Sequence, residues 1–232
     1  VLSAIAIVPS APVLVPELAG AAAAEVADLT VAVLEAAALL PSRWIVVGAG
    51  AVDRDLGPDS AGTFAGFGAD VRVGLSPHAV NGRAAEPAEL PLCALLGGWV
   101  RGQARPDASA QVRVYAGDHA ADIALARGRQ LRAEVDRLPD PIGVLVVADG
   151  ANTLTAAAPG GYDPSNVEAQ LILDDALANG DVAALARLPE PILGRVAFQV
   201  LAGLTEPGPR SAKELYRGAP YGVGYFAGAW QL

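Results

Sequence analysis

Short β-branched, uncharged runs alternate along the chain with longer alanine-rich stretches that carry charges on one side. Leu2–Val8 (LSAIAIV) and Arg43–Val47 (RWIVV) are largely continuous apolar runs, as expected of strands covered on both faces. Pro141–Ala148 (PIGVLVVA) is the clearest strand, bounded by proline ahead and Asp149-Gly150 behind. Asp70–Leu75 and Gln111–Ala116 read as two more strands, and Tyr221–Trp230 as a late strand with an aromatic face. Between them the pattern predicts a helix from Pro16 to about Leu40, with Pro16 in the first turn, where its missing N–H costs nothing. A second helix, Glu89–Val100, is interrupted by Pro91 and the Gly97-Gly98 pair, and a third covers His119–Arg137. Three more follow at Ser165–Asn179, Asp181–Ala186 and Pro191–Leu204, with Gly180 ending the first and Asp181 capping the second. Asp53–Ala69 and Ala151–Pro164 read as loops. There is no internal repeat and no linker, so residues 1–232 are expected to form one α/β domain: a largely parallel central sheet with helices on both faces.

Composition narrows the function classes. The 232 residues can bury a sizeable core, and 53% hydrophobic with 18% charged residues is no disordered chain. A net charge of −9 argues against a nucleic-acid partner. Glu25, Asp28 and Glu35 make the alanine-rich stretch 19–40 a poor membrane span. The apolar start lacks a basic n-region and runs into Pro9, Pro12 and Pro16, unlike a signal peptide, so a cytoplasmic location is expected. Cys93 alone allows no internal disulfide and no cysteine-rich cluster, and His78 and His119 alone allow no His₃ metal site. No metal or cofactor is expected on this basis. Lys213 is the single lysine among 16 basic residues, which with the alanine excess suggests a GC-rich genome.

In open α/β sheets ligands bind beyond the carboxyl ends of the strands. Those ends are Pro9–Pro12, Gly48–Asp53, Leu75–His78, Ala116–His119 and Asp149–Asn152. The candidate catalytic residues are therefore His119, as a general base, and Asp149, whose carboxylate closes the most apolar strand. Ser10, Pro12, Gly48, Gly50, Asp118 and Asn152 are the candidate pocket residues. Each has a plainer reading beside this one. Asp118-His119 suits a helix cap, Asp149-Gly150 suits a turn, and His78 suits an exposed loop. Gly48-Ala49-Gly50 imitates a dinucleotide turn, but Asp53 stands where the third glycine belongs. Cys93 reads as a core thiol. Tyr216, Tyr221, Tyr225, Phe226 and Trp230 read as packing of the last strand, or as an aromatic wall beside a pocket.

The order of these pieces resembles the LigB-type class III extradiol ring-cleavage dioxygenases. Ala4–Glu17 (AIAIVPSAPVLVPE) is similar to that family's first strand and proline-containing loop, and Ile45–Gly50 to its second strand and turn. Gly128–Thr153, Gly160–Asp181, Gly194–Leu204 and the ending Ala219–Phe226 complete the likeness, which is nearest to actinobacterial proteins with a subunit-B-like domain. The resemblance implies a LigB-like fold and an Fe(II) ion held by two histidines and a carboxylate, open to a catechol and dioxygen. A further histidine handles the substrate proton. Carried over, the two ligand histidines fall on Ser10 and within Gly48–Gly50, the acid–base histidine near Leu154, and the late carboxylate near Leu193. None of these side chains is a good iron ligand. The expectation is a homologue with a degenerate iron site and a retained pocket for a small molecule, possible aromatic ligands included. One alternative is an active non-heme Fe(II) dioxygenase of catechol-like substrates that uses His78, His119 and Asp149 as relocated ligands. Another is a non-catalytic interaction subunit, in a homo-oligomer or with a partner subunit, since that family pairs its subunits.

Overall fold

The computed structural model describes residues 1–81 and 89–232. Its strands are β1 (Leu2–Val8), β2 (Arg43–Gly50), β3 (Arg54–Leu56), β4 (Ala61–Thr63), β5 (Arg72–Gly74), β6 (Ser109–Ala116), β7 (Ile142–Val147), β8 (Ser211–Gly218) and β9 (Tyr225–Gln231). Its helices are α1 (Pro16–Ala19), α2 (Ala27–Ala38), α3 (Pro77–Asn81), α4 (Leu92–Ala104), α5 (Ala121–Asp136), α6 (Asn166–Asn179), α7 (Val182–Leu185) and α8 (Arg195–Thr205). Seven strands form one sheet in the order β3-β6-β2-β7-β1-β9-β8. The central four, β6, β2, β7 and β1, are parallel, while β3 at one edge and β9 and β8 at the other are antiparallel. The architecture is therefore α/β with a mixed sheet flanked by helices, its parallel part confined to the middle. No helix among the described residues is long and apolar enough to cross a membrane.

The structure departs from the expected elements where the pattern is short or exposed. β8 breaks the apolar pattern with Lys213, Glu214 and Arg217, because it is an edge strand. The segment expected as a strand at Asp70–Leu75 contributes only β5, which pairs with β4 in a separate two-stranded ribbon. β3 and β4 lie inside the stretch read as loop, and three residues are too few to show a period. The expected helix from Pro16 to Leu40 is broken at Gly20, whose φ of 55° leaves the right-handed helical region, and a 3₁₀ turn (Gly20–Ala24) follows before α2. The Gly97-Gly98 pair does not interrupt α4. A Cβ on Gly97 would come within 2.9 Å of the Val46 methyls, so the glycines let the helix lie close on β2.

Side-chain alternation sorts the core into two layers. Ala4, Ala6 and Val8 of β1, Trp44 and Val46 of β2, Leu145 and Val147 of β7, and Tyr225, Ala227 and Ala229 of β9 share the layer under α2 and α4. Ile5, Ile7, Ile45, Val47, Val144, Val146, Phe226 and Trp230 face the layer under α5, α6 and α8. The two most deeply buried tryptophans satisfy their N–H groups, Trp44 on Pro41 O at 2.6 Å and Trp230 on Leu177 O at 2.8 Å.

One buried charge fastens the ribbon to the sheet. Arg101 of α4, 2% exposed, donates from Nε to Gly74 O (3.0 Å) and from Nη1 to Pro106 O (2.7 Å) and Ala108 O (3.0 Å). Arg101→Met keeps the aliphatic stem and leaves three carbonyls without their donor. It is expected to cost about 3 kcal/mol in urea unfolding. Wild-type stability in that variant would show that the carbonyls find other donors.

Candidate functional site

Two registers converge at the carboxyl edge of β1. Val8 pairs with Val147 of β7, and Ile7 with Gly228 of β9. Continued past the strand end, the first register sets Ser10 beside Asp149, and the Ser10 N–H donates to Asp149 Oδ1 at 2.7 Å. Beyond β1 the turn after β7 meets the start of β9 directly: Gly150 N donates to Gly224 O (2.8 Å) and Gly224 N to Ala151 O (2.8 Å), which brings Tyr225 next to Asp149. Period-two alternation puts the row on the face that carries Val8, Val147 and Tyr225.

Asp149 is half-buried, and burial pushes its carboxyl up to about 7, against the opposing pull of the Ser10 N–H. Its Oδ1 takes that single N–H, and its Oδ2 accepts no hydrogen bond from the described residues. Tyr225 is 6% exposed, and its hydroxyl likewise has no partner among the described residues. Burial raises the Tyr225 pKa, and the nearby Asp149, Tyr221 and Tyr216 raise it further. No fully sealed side-chain nitrogen or oxygen among the described residues lacks a hydrogen bond, so both oxygens keep an opening to solvent. Tyr216 and Tyr221 pack half-buried on the same core layer, and the Tyr221 hydroxyl donates to Glu25 Oε2 at 3.0 Å.

Gln170 of α6 positions this row and carries no sequence signal of its own. It is 6% exposed, accepts from Ala151 N (2.8 Å) and donates to Asp174 Oδ1 (2.8 Å). A Cβ at Gly150 or Gly224 would overlap its amide, so both glycines are required by its close approach. Burial lifts the Asp174 carboxyl to about 6, although the Gln170 amide and Arg217 favour its ionised form.

The other expected residues go elsewhere. His119 precedes α5 and turns its Nε2 to Asp53 Oδ1 at 2.7 Å, and Asp53 also accepts from Ala116 N (2.8 Å) and Arg127 (3.1 Å). Burial works to raise the Asp53 pKa, but these donors together hold it below the usual carboxylate range. The arrangement braces the turn between β2 and β3 against the start of α5, and the sequence reading gave Asp53 no such part. Asp118 is exposed, and His78 is exposed on α3. Pro12 opens a 3₁₀ turn (Pro12–Leu14) beside the row. Asn152 lies against Gly160, whose N–H donates to the Asn152 carbonyl. Gly50 packs on Val114 and accepts from Gly117 N at 2.9 Å.

Gly48 lies on the row's face, but α4 covers it. A Cβ there would overlap Cys93, whose Sγ lies 2.6 Å from that point. Cys93 is 2% exposed and burial pushes its thiol up to about 11. We expect no reaction with a disulfide reagent at pH 8 until denaturant is added, because the thiolate is both scarce and covered. Rapid labelling of the native chain would show that α4 lifts from Gly48.

The residues present do not fit the iron site that the resemblance implies. Ser10 offers a hydroxyl, Gly48 is covered by Cys93, Leu154 is half-buried, and Leu193 is 53% exposed. The relocated set His78, His119 and Asp149 does not converge, and no group of three His, Cys, Asp or Glu among the described residues is placed to hold a metal ion. Cavities of about 410, 320, 270 and 130 Å³ lie at β3–β6–α5, at β5–α4, at Gly50–Pro91 and at the amino end of the sheet. None of these four is lined by Ser10, His119 or Asp149, so none of them is the expected pocket joining those residues, and His119 turns to Asp53 instead.

No protein-family model matches the sequence, and no curated protein matches it. In structure the chain is similar to an uncharacterized protein, JW3007, from Escherichia coli K12, with a TM-score of 0.57 at 10% sequence identity over 98% of this chain and 99% of that one. A likeness at that identity is one of fold, and it places the chain among α/β domains whose central sheet is flanked by helices.

Proposed function

We propose that the chain is a homologue of the LigB-type extradiol dioxygenases that lacks the iron site and binds a small organic molecule at the carboxyl edge of β7, β1 and β9. The observation that carries this reading is the Ser10–Asp149–Tyr225 row. It holds a half-buried carboxylate with one oxygen unpartnered and a buried phenol with a free hydroxyl, both open to solvent, among the described residues. Both oxygens have hydrogen-bonding capacity that no described residue takes up and an opening to solvent, so a ligand that displaces water there can complete them. Iron-dependent ring cleavage is unsupported, because the donor types and their placement do not suit Fe(II).

Ligand-observed NMR with catechol, benzoate and small amines tests the reading. Contact with at least one of them, weakened in Asp149→Asn, is expected. Failure of every compound, or indifference to the substitution, would overturn it. Anaerobic Fe(II) loading supplies a second check. Stoichiometric iron with catechol-dependent oxygen uptake, lost in His119→Ala, would restore the dioxygenase.

One observation favours an interaction subunit as a second reading. On α6, Val167, Leu171 and Ile172 are 39%, 53% and 47% exposed, an unusual apolar outer face for a helix that also buries Leu173 and Leu177. A monomeric mass with no co-purifying partner would count against it.

A further inference from the structure

We propose that the molecule bound at this row is an organic cation: an ammonium or quaternary ammonium group on a small apolar body, taken up by Asp149 and faced by Tyr225, Tyr221 and Tyr216. The proposal rests on the small-molecule reading above and names the chemistry of its ligand.

Among the described residues, the charged side chains that hydrogen bonds place at the row are acidic. Asp149 stands in it, and Glu25 and the neighbouring Asp28, just before and at the start of α2, stand beside the tyrosines, Glu25 through the Tyr221 hydroxyl. No ion pair among the described residues involves Asp149, Glu25 or Asp28. The basic side chains of the surrounding elements are engaged elsewhere. Lys213 pairs with Glu35 at 3.6 Å, and Arg217 pairs with Asp175 and Glu214. Arg195, which follows the loop that touches Asp149, turns to the other layer and donates to His119 O and Gln199 Oε1.

A second, independent feature points to a ligand. Tyr225 is more than nine-tenths buried and its hydroxyl is unpartnered among the described residues. It follows Gly224, which hydrogen-bonds to Gly150 and Ala151, and lies close enough to Asp149, Tyr221 and Tyr216 for each to shift its titration. A neutral or anionic guest would leave Asp149 to be neutralised by a proton alone, and an anion would be repelled by it. A cation pairs with the carboxylate and gains from aromatic faces, which attract positive charge.

Calorimetry and ligand-observed NMR with tetramethylammonium and n-butylammonium, against n-butanol and benzoate, decide the matter. Both cations are expected to bind at pH 8 and to weaken about tenfold at pH 6, where the Asp149 carboxyl, titrating near 7, is mostly protonated. Asp149→Asn keeps an acceptor for the Ser10 N–H and is expected to lose at least that tenfold at pH 8. Tyr221→Leu, on the half-exposed rim, is expected to weaken binding about threefold. Benzoate or butanol binding as well as the ammonium probes, with the same dependence on Asp149, would overturn the cation and leave the small-molecule reading standing. Failure of all four probes and of catechol would remove both.

Discussion

Asp149→Asn will be more stable than the wild type at pH 8 by up to about 4 kcal/mol, and the advantage will vanish by about pH 4. The direction follows from the carboxyl's position near 7 in the folded chain against an ordinary value of 3.8. The folded state then holds the proton more tightly than the unfolded state. As pH rises from 3.8 the unfolded chain ionises first, so stability falls through this window and the loss is complete above about 7. Asparagine does not titrate and still accepts the Ser10 N–H, so this contribution to the pH dependence is absent from the variant, while that of Asp174 is common to both proteins. Three pH units correspond to about 4 kcal/mol, and the solvent contact of Asp149 reduces that figure. Urea unfolding of both proteins at pH 4, 6 and 8 measures the difference. A difference that does not change with pH would show that Asp149 ionises normally and that the row is open water. A bound cation acts in the opposite sense, returning at pH 8 what burial removes, so tetramethylammonium is expected to narrow the gap there.

Gly203→Ala and Gly128→Ala will each destabilise the fold by about 3 kcal/mol or more. α5 and α8 cross with their backbones in contact. A Cβ on Gly128 would overlap Val200 O and stand 2.6 Å from Leu204 N, and one on Gly203 would overlap Leu125 O and stand 2.9 Å from Leu125 C. Helix propensity alone favours alanine by about 1 kcal/mol at an interior position. The contacts decide against it because backbone atoms cannot turn aside as a side-chain tip can. Both helices cover the layer of Ile5, Ile7, Val144 and Val146, so separating them also loosens the packing on the sheet. Equilibrium unfolding gives the sign at once. A neutral or stabilising substitution would mean that the helices part freely.

The strands that could be read from the sequence are those whose environment is uniform. β1, β2 and β7 are buried on both faces, so their residues need only be apolar and β-branched, and the run is visible without knowing any neighbour. β8 was invisible because one edge of it meets solvent and its charges pair with α2 and α6. The 3₁₀ break at Gly20 was hidden by an alanine-rich stretch that suits a helix on either side. In the site, Ser10 and Asp149 could be anticipated from the habit of α/β sheets to bind at carboxyl ends. His119 met the same criterion and is taken away by Asp53, 66 residues earlier, in a hydrogen bond that no local pattern records. Gln170 was missed because a lone glutamine on an apolar helix looks the same whether it points to solvent or wedges between two glycines.

By itself the amino-acid sequence determined the α/β class and the residue types available at the sheet's edge. Those types, a serine, glycines and leucines where the resembling family keeps histidines and a carboxylate, already spoke against iron. Only the tertiary structure decided which strand ends are neighbours. The order β6-β2-β7-β1-β9 brings the turn after β7 to the start of β9 beyond the end of β1, and so sets Tyr225 near Asp149, which holds the Ser10 N–H. Alternation along a strand is a local property with a period of two, whereas strand order comes from pairings between segments far apart in the chain. The ligand row depends on both, and so it became visible only when the sheet was assembled.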